Sequence, residues 1–140
     1  VDALASRGTV VIAGGGGGIP VVRGPGGVRH GVEAVIDKDL TSAHMANVLD
    51  IDTLMILTAV PKVAINFGTP EQRELDRVDL AEIKRLHGEG HFPPGSMGPK
   101  IEAALHFLAN GGERVVITSS EKLRASRDCT TRTPSFSPSR

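Results

Sequence analysis

The chain has 140 residues, enough for one domain with a hydrophobic core, and its 16 Lys and Arg residues balance its 16 Asp and Glu residues. This balance argues against a nucleic-acid or membrane-surface ligand, and an aromatic content of 3% argues against the stacking of single strands. The single cysteine, Cys129, cannot form an internal disulfide. Because the sequence shows no signal peptide and no spanning apolar stretch, we expect a cytoplasmic protein.

An apolar run at residues 9–13 leads into five consecutive glycines: Gly14, Gly15, Gly16, Gly17 and Gly18. This pattern predicts a buried strand that ends in a bare backbone loop. Ordering each Gly costs about 0.5–1 kcal/mol relative to Ala, a cost that close approach of backbone N–H groups to an anion usually offsets. A turn that binds nothing is the alternative. Neither standard phosphate motif is present: Ile19 replaces a required Gly of the dinucleotide fingerprint, and no Gly-Lys-Ser/Thr follows.

Strand and helix patterns alternate along the rest of the chain. We expect, in order, a helix end at 1–6, a loop at 22–31, a strand at 31–36, a helix at 40–49, strands at 53–58 and 63–65, helices at 79–87 and from 99, a strand at 114–118 and a short helix from 120. This alternation predicts an α/β fold with a mostly parallel sheet. Residues 126–140 are rich in Ser, Thr and Pro, so we expect a disordered tail after a domain at 1–125.

Charged residues follow the predicted strand at 31–36. Asp37, Lys38 and Asp39 would lie at its carboxyl end, where ligands bind in parallel sheets. A lysine there suits phosphate oxygens, and Asp37 could orient cationic groups or a metal. A solvated turn is the alternative. The five histidines show no metal-ligand spacing, and no Gly-x-Ser-x-Gly supports a serine hydrolase.

Lys100 falls in the first turn of the helix that Pro99 opens. A cation at the positive end of a helix dipole destabilises the helix by about 0.3–1 kcal/mol, and an anion bound beside the cation would make its position favourable. We therefore expect Lys100→Ala to leave the free fold unharmed, or to stabilise it by up to about 1 kcal/mol. A surface lysine that bends into solvent is the alternative.

Four segments, read in order, resemble carbamate kinase: GGGGGIP at 14–20, EAVIDKD at 33–39, LTAV through INFG at 57–68, and GHF to GSMGPK at 90–100. The resemblance covers nearly everything from Val1 to about Ser126. It implies the amino acid kinase fold, a three-layer αβα sandwich, here truncated at the N-terminus to the C-terminal, nucleotide-binding half. It also implies transfer of phosphate between ATP and carbamate with Mg²⁺, a homodimer, and a role in arginine metabolism.

The resemblance also implies roles for individual residues. Lys38 and Lys100 would be catalytic lysines that neutralise phosphate charge, and Asp37 would hold them in place. The segment 58–66 would lie along the base and ribose, and the ATP or ADP would be bound by Gly14, Gly15, Gly16, Gly17, Thr58, Val60, Asn66, Met97 and Gly98. No side chain is implied as a metal ligand. Because phosphoryl transfer asks mainly for positioning and electrostatics, a site of glycine amides and lysines is sufficient.

Two departures from the family pattern set the remaining expectations. The family's N-terminal half, with a further lysine and most of the carbamate pocket, is absent, and residues from Arg127 onward are unlike the family's ending. We therefore expect this chain alone to bind nucleotide without turnover. Two alternatives stay open: another amino acid kinase, acting on an acylamino acid or a nucleoside monophosphate, and a non-catalytic nucleotide-binding remnant.

Overall fold

The computed structural model describes residues 1–123 and 135–137. It contains, in chain order, helix α1 (Asp2–Ala5), strands β1 (Val21–Arg23) and β2 (Arg29–Gly31), helix α2 (Lys38–Val48), strands β3 (Thr53–Leu57), β4 (Val63–Ile65), β5 (Arg73–Leu75) and β6 (Arg77–Asp79), helices α3 (Leu80–Gly88) and α4 (Gly98–Ala109), and strands β7 (Arg114–Thr118) and β8 (Ser135–Ser137). Within these ranges no helix has the length and apolarity that a bilayer span requires.

The main sheet has the strand order β3-β7-β8-β6. Strands β3 and β7 run parallel, in a register that pairs Thr53 with Arg114 and Leu57 with Thr118. Strand β8 is antiparallel to β7 and parallel to β6. Two further antiparallel pairs, β1–β2 and β4–β5, lie outside this sheet. Parallel pairing between strands that are separated by helices confirms the predicted α/β class.

The core lies between the main sheet and the helices. Helix α4 packs against β3 and β7, and both α2 and α3 pack against α4. Leu54 and Ile56 of β3 are buried beneath this layer, whereas Met55 and Leu57, on the other face of the strand, are 43% and 50% exposed. Helices α2, α3 and α4 thus form one layer on the sheet, and no second helix layer is seen on its other face among the described residues.

Most of the predicted helices are present, together with three predicted strands. Helix α1 lies within the predicted helix end at 1–6, and residues 120–123 are helical, as predicted for the segment from 120. Helices α2, α3 and α4 and strands β3, β4 and β7 match the expected segments within two residues at each end. Helix α3 begins after Asp79, whose side chain caps it by accepting a hydrogen bond from the Glu82 N–H at 2.8 Å. These elements have local capping and periodicity signals in the sequence, which explains why they were predictable.

The two strand predictions in the first 36 residues are wrong. Residues 9–13 form no strand, and Val10 and Ile12 are 92% and 98% exposed. The predicted strand at 31–36 stops at Gly31: the Val32 N–H still donates to the Pro20 carbonyl oxygen at 3.2 Å, but Glu33 lies in a bend and residues 32–36 form no strand. The predicted loop at 22–31 instead holds most of the β1–β2 pair. An apolar run identifies a segment suited to a sheet, but it forms a strand only where a neighbouring strand supplies hydrogen bonds.

The predicted disordered tail falls mostly outside the described residues, at 126–134 and 138–140. Residues 135–137 are described and differ from that expectation, because they form β8 between β7 and β6.

Candidate functional site

The glycine run rests on the first turn of α2. Gly17 has φ +146°, and a Cβ there would lie 2.2 Å from the Ile36 carbonyl oxygen, so only glycine fits this approach. The Gly18 N–H donates to Thr41 Oγ1 at 2.8 Å, and the Thr41 hydroxyl donates to the Asp37 carbonyl oxygen at 2.9 Å. One threonine of α2 therefore fixes the end of the run to the start of the helix.

Backbone N–H groups in the middle of the run are available to a ligand. Gly14, Gly15 and Gly16 are exposed, and within the described part of the chain their N–H groups donate no hydrogen bond. Gly17 closes the turn by donating to the Gly14 carbonyl oxygen at 3.0 Å. Successive unpaired amides in a turn form a concave donor surface that suits an anion.

Asp37 caps α2. Its Oδ1 accepts hydrogen bonds from the N–H groups of Asp39 at 2.8 Å and Leu40 at 3.2 Å. The structure therefore differs from the arrangement that the family resemblance implied, in which Asp37 holds the two lysines. An N-cap carboxylate is directed at the helix amides, since these are the donors that the first turn leaves unpaired.

Asp39 is the carboxylate that joins the lysines. Its Oδ2 lies 2.8 Å from Lys100 Nζ, and its Oδ1 lies 3.8 Å from Lys38 Nζ. The Asp39 and Lys100 side chains are only 12% and 16% exposed, whereas that of Lys38 is 60% exposed. The sequence interpretation gave Asp39 no such role. Because Asp37 caps the helix, Asp39 is the carboxylate of the Asp-Lys-Asp motif that remains to pair with the lysines.

This ion pair changes the expectation for Lys100. The unfavourable position of a cation in the first turn of α4 is offset by a carboxylate of the protein itself, so no bound ligand is needed to balance it. Removing the lysine would leave a largely buried carboxylate with only the more distant Lys38. The expectation that Lys100→Ala leaves the free fold unharmed is therefore revised to a destabilisation.

A cavity of about 380 Å³ opens between the end of β3, the β4 region and the start of α4. This volume is in the range of small-molecule sites. Four of the predicted site residues lie on its wall: Thr58, Val60, Met97 and Lys100. Lys62 and the 64% exposed Phe67 also line it. Phe67 was not predicted, and Lys62 was covered only as part of the segment 58–66 that the family resemblance placed along the base and ribose. The sequence signal that could have identified Phe67 is an aromatic residue next to a glycine in a predicted loop.

The other predicted nucleotide contacts do not line this cavity: neither the glycines at 14–17, nor Asn66 and Gly98. Asn66 has φ +52°, its carbonyl oxygen accepts from the Thr69 N–H, and its Nδ2 donates to the Glu71 carbonyl oxygen at 3.3 Å. Gly98 is buried, and its N–H donates to the Pro93 carbonyl oxygen at 2.8 Å. Both residues hold loops in shape beside the cavity.

The described residues include no group of three or more His, Cys, Asp or Glu side chains that could hold a metal ion. The carboxylate nearest to the lysines, Asp39, is already paired with them. These side chains do not fit a metal ion held by the protein alone.

Comparison with known proteins adds family information to this geometry. Residues 1–119 match the sequence model of the amino acid kinase family. Over 125 residues the chain is 55% identical to a carbamate kinase-like protein, YahI, of Escherichia coli, covering 89% of this chain and 40% of that protein. It is 50% identical over 119 residues to the carbamate kinase of Thermococcus kodakarensis, covering 85% of this chain and 38% of that enzyme.

A solved structure gives the same relationship. The carbamate kinase of Giardia lamblia bound to AMP-PNP superposes with a TM-score of 0.85 at 38% identity, covering 99% of this chain and 43% of that one. The chain therefore spans about two fifths of the length of these relatives. The predicted relationship is confirmed, whereas its narrower form, that the chain is the C-terminal half of such a kinase, is not confirmed by these matches.

Proposed function

Because residues 1–119 match its sequence model, this chain belongs to the amino acid kinase family, and we propose that it provides the nucleotide site of a phosphotransferase of the carbamate kinase type. The reaction transfers a phosphoryl group between ATP and carbamate, giving ADP and carbamoyl phosphate, and its reverse makes ATP. The observation that carries the proposal is the pair of lysines, Lys38 and Lys100, that share Asp39, with Lys100 on the cavity wall.

The groups around the lysines suit the phosphates of the nucleotide. Lys100 is held at one place by its 2.8 Å contact, whereas Lys38 is mostly exposed and free to reorient. The unpaired amides of residues 14–16 add neutral donors. Phosphate oxygens would compete with Asp39 for both ammonium groups, and the lysines would then spread the charge that develops on the phosphoryl group in flight.

The cavity suits the nucleoside. Phe67 presents an exposed aromatic ring at its wall, and Val60 and Met97 supply apolar surface. Bases stack on aromatic side chains with little dependence on their identity. Magnesium would enter with the nucleotide as part of the substrate, bound to phosphate oxygens, and no step is assigned to it. The cytoplasmic location, the homodimer and the place in arginine metabolism belong to the same proposal.

Calorimetric titration of the whole 140-residue chain with ADP tests the proposal. Lys100→Met should weaken ADP binding by about 1.5–3 kcal/mol, the value of a hydrogen bond to a charged group. Lys84→Met removes an exposed lysine of α3 and is the matched control, for which we expect unchanged affinity. Equal ADP affinity in the wild type and Lys100→Met, or no binding by the wild type, would overturn the proposal.

A coupled assay with carbamoyl phosphate and ADP addresses turnover. We expect none from this chain alone, since it spans about two fifths of the length of the carbamate kinases that it matches. We also expect no binding of an acylamino acid or a nucleoside monophosphate to this chain, and binding of either one would favour the corresponding alternative kinase. Measurable turnover by the isolated chain would show that the assignment of a nucleotide site without an acceptor site is wrong.

A further inference from the structure

Lys62 is fixed at the cavity wall by two carboxylates. Its Nζ lies 2.8 Å from Asp76 Oδ1 and 3.1 Å from Glu74 Oε2, and its side chain is 24% exposed. Hydrogen bonds to Asp76 and then to Glu74 raise the pKa of the Lys62 ammonium above its ordinary value. The residue therefore stays charged over the whole range in which the protein would work.

The fold keeps this ammonium in place. Lys62 directly precedes β4, Glu74 lies in β5, and the two strands pair with Ala64 opposite Glu74. Asp76 follows β5 directly. A clasp of the β4–β5 hairpin alone would explain the ion pairs, but it would not require the lysine to line the cavity, which Lys62 does.

The two lysines that line the cavity differ in their partners. Lys100 shares a single carboxylate, that of Asp39, with Lys38, so these two lysines carry an excess of positive charge over that carboxylate. Lys62 is instead held by two carboxylates. Phosphates are therefore attracted more strongly to Lys38 and Lys100, which leaves Lys62 for the nucleoside part of a bound nucleotide.

We propose that Lys62, held by Glu74 and Asp76, is a specificity-determining residue that donates a hydrogen bond to an acceptor on the nucleoside part of the nucleotide. An ammonium has three N–H donors, and the two carboxylates engage two of them. The third is left for a ligand in the cavity that Lys62 lines. This inference rests on the proposed nucleotide site and adds the residue that reads the nucleoside.

The test compares ADP with inorganic pyrophosphate, which has the same two phosphorus atoms and no nucleoside. Lys62→Met should lower ADP affinity about tenfold or more, the loss of a hydrogen bond from a charged donor, and should leave pyrophosphate affinity within about twofold of the wild type. Lys84→Met is the control for removal of a lysine elsewhere. Lys62→Gln retains two N–H donors for the carboxylates but no third, so it is expected to fold and to show the same selective loss.

The possible outcomes separate this inference from the proposed function. If the wild type binds neither ADP nor pyrophosphate, the proposed nucleotide site is wrong. If the wild type binds ADP but both Lys62 variants bind it equally well, or lose ADP and pyrophosphate affinity in the same proportion, the nucleotide site stands and the role of Lys62 is overturned. A loss confined to ADP supports it.

Discussion

Lys100 Nζ lies 2.8 Å from Asp39 Oδ2, although the two residues are 61 positions apart in the chain. The contact joins the first turn of α4 to the first turn of α2 and excludes most solvent from both side chains. Two helix starts with positive dipoles are thereby brought together with one carboxylate between them. The protein thus holds Lys100, the lysine that we propose to bind phosphate, in place before any ligand arrives.

This contact predicts that Lys100→Ala destabilises the free protein by about 1–3 kcal/mol, because it leaves the mostly buried Asp39 carboxylate short of a partner. Asp39→Asn should also destabilise it, and the double variant should be more stable than the sum of the two effects predicts, by at least about 0.5 kcal/mol. Urea unfolding of the four proteins measures the coupling. An unchanged or more stable Lys100→Ala protein would restore the expectation drawn from the sequence alone.

The position of Asp37 predicts a different behaviour. Asp37→Ala should cost about 0.5–2 kcal/mol, since it removes the acceptor for the N–H groups of Asp39 and Leu40. Asp37→Asn keeps a good capping oxygen and should stay within about 1 kcal/mol of the wild type. ADP titration of Asp37→Asn and Asp39→Asn distinguishes the two carboxylates. If Asp37→Asn loses ADP affinity as strongly as Asp39→Asn, Asp37 does more than cap the helix.

The sequence predicted those parts of the fold that have local signals. Helix α3 has a capping Asp79 and apolar residues at helical spacing, Leu80, Ile83 and Leu86, of which the last two are almost fully buried. Strand β7 was predicted with its observed ends, because its short run is β-branched throughout residues 115–118 and follows two glycines. Thr58, Val60 and Met97, which the family resemblance implied as nucleotide contacts, line one cavity together with Lys100, and their role as contacts stays a prediction.

Features that depend on contacts distant in sequence were not predictable. The pairing of Lys100 with Asp39 requires α2 and α4 to lie side by side, which no local pattern reports. The position of the Lys62 ammonium at the cavity wall depends on ion pairs with Glu74 and Asp76, which are 12 and 14 positions away in the chain. Conversely, residues 9–13 have the composition of a strand, but among the described residues no strand pairs with them.

The backbone of Gly17 yields a prediction with an internal control. Gly17→Ala should destabilise the docked glycine run by about 1–3 kcal/mol, because φ is +146° and the new Cβ would meet the Ile36 carbonyl oxygen. Gly16→Ala, one residue away, has no atom within 4 Å of its Cβ and should change stability by less than about 1 kcal/mol. Denaturant unfolding and ADP titration of both variants measure the difference. Equal effects at the two positions would contradict the close approach to Ile36.

Thr41 links the glycine run to α2 through one hydroxyl, which accepts from the Gly18 N–H and donates to the Asp37 carbonyl oxygen. Thr41→Val has nearly the same shape but leaves the Gly18 N–H without its acceptor, so a loss of about 1 kcal/mol is expected. Thr41→Ser retains the hydroxyl and should therefore keep most of the stability that Thr41→Val loses.

Amide hydrogen exchange locates the effect of the Thr41 variants. Protection of the Gly18 amide should fall in Thr41→Val and persist in Thr41→Ser. The Ile101 amide, which donates to the Met97 carbonyl oxygen in α4, should keep its protection in both. Removal of a single local hydrogen bond lowers stability mainly in the segment that it holds. A fall in protection at Ile101 equal to that at Gly18 would therefore mean that Thr41 supports the whole core. An unprotected Gly18 amide in the wild type would show that the glycine run does not rest on α2 in solution.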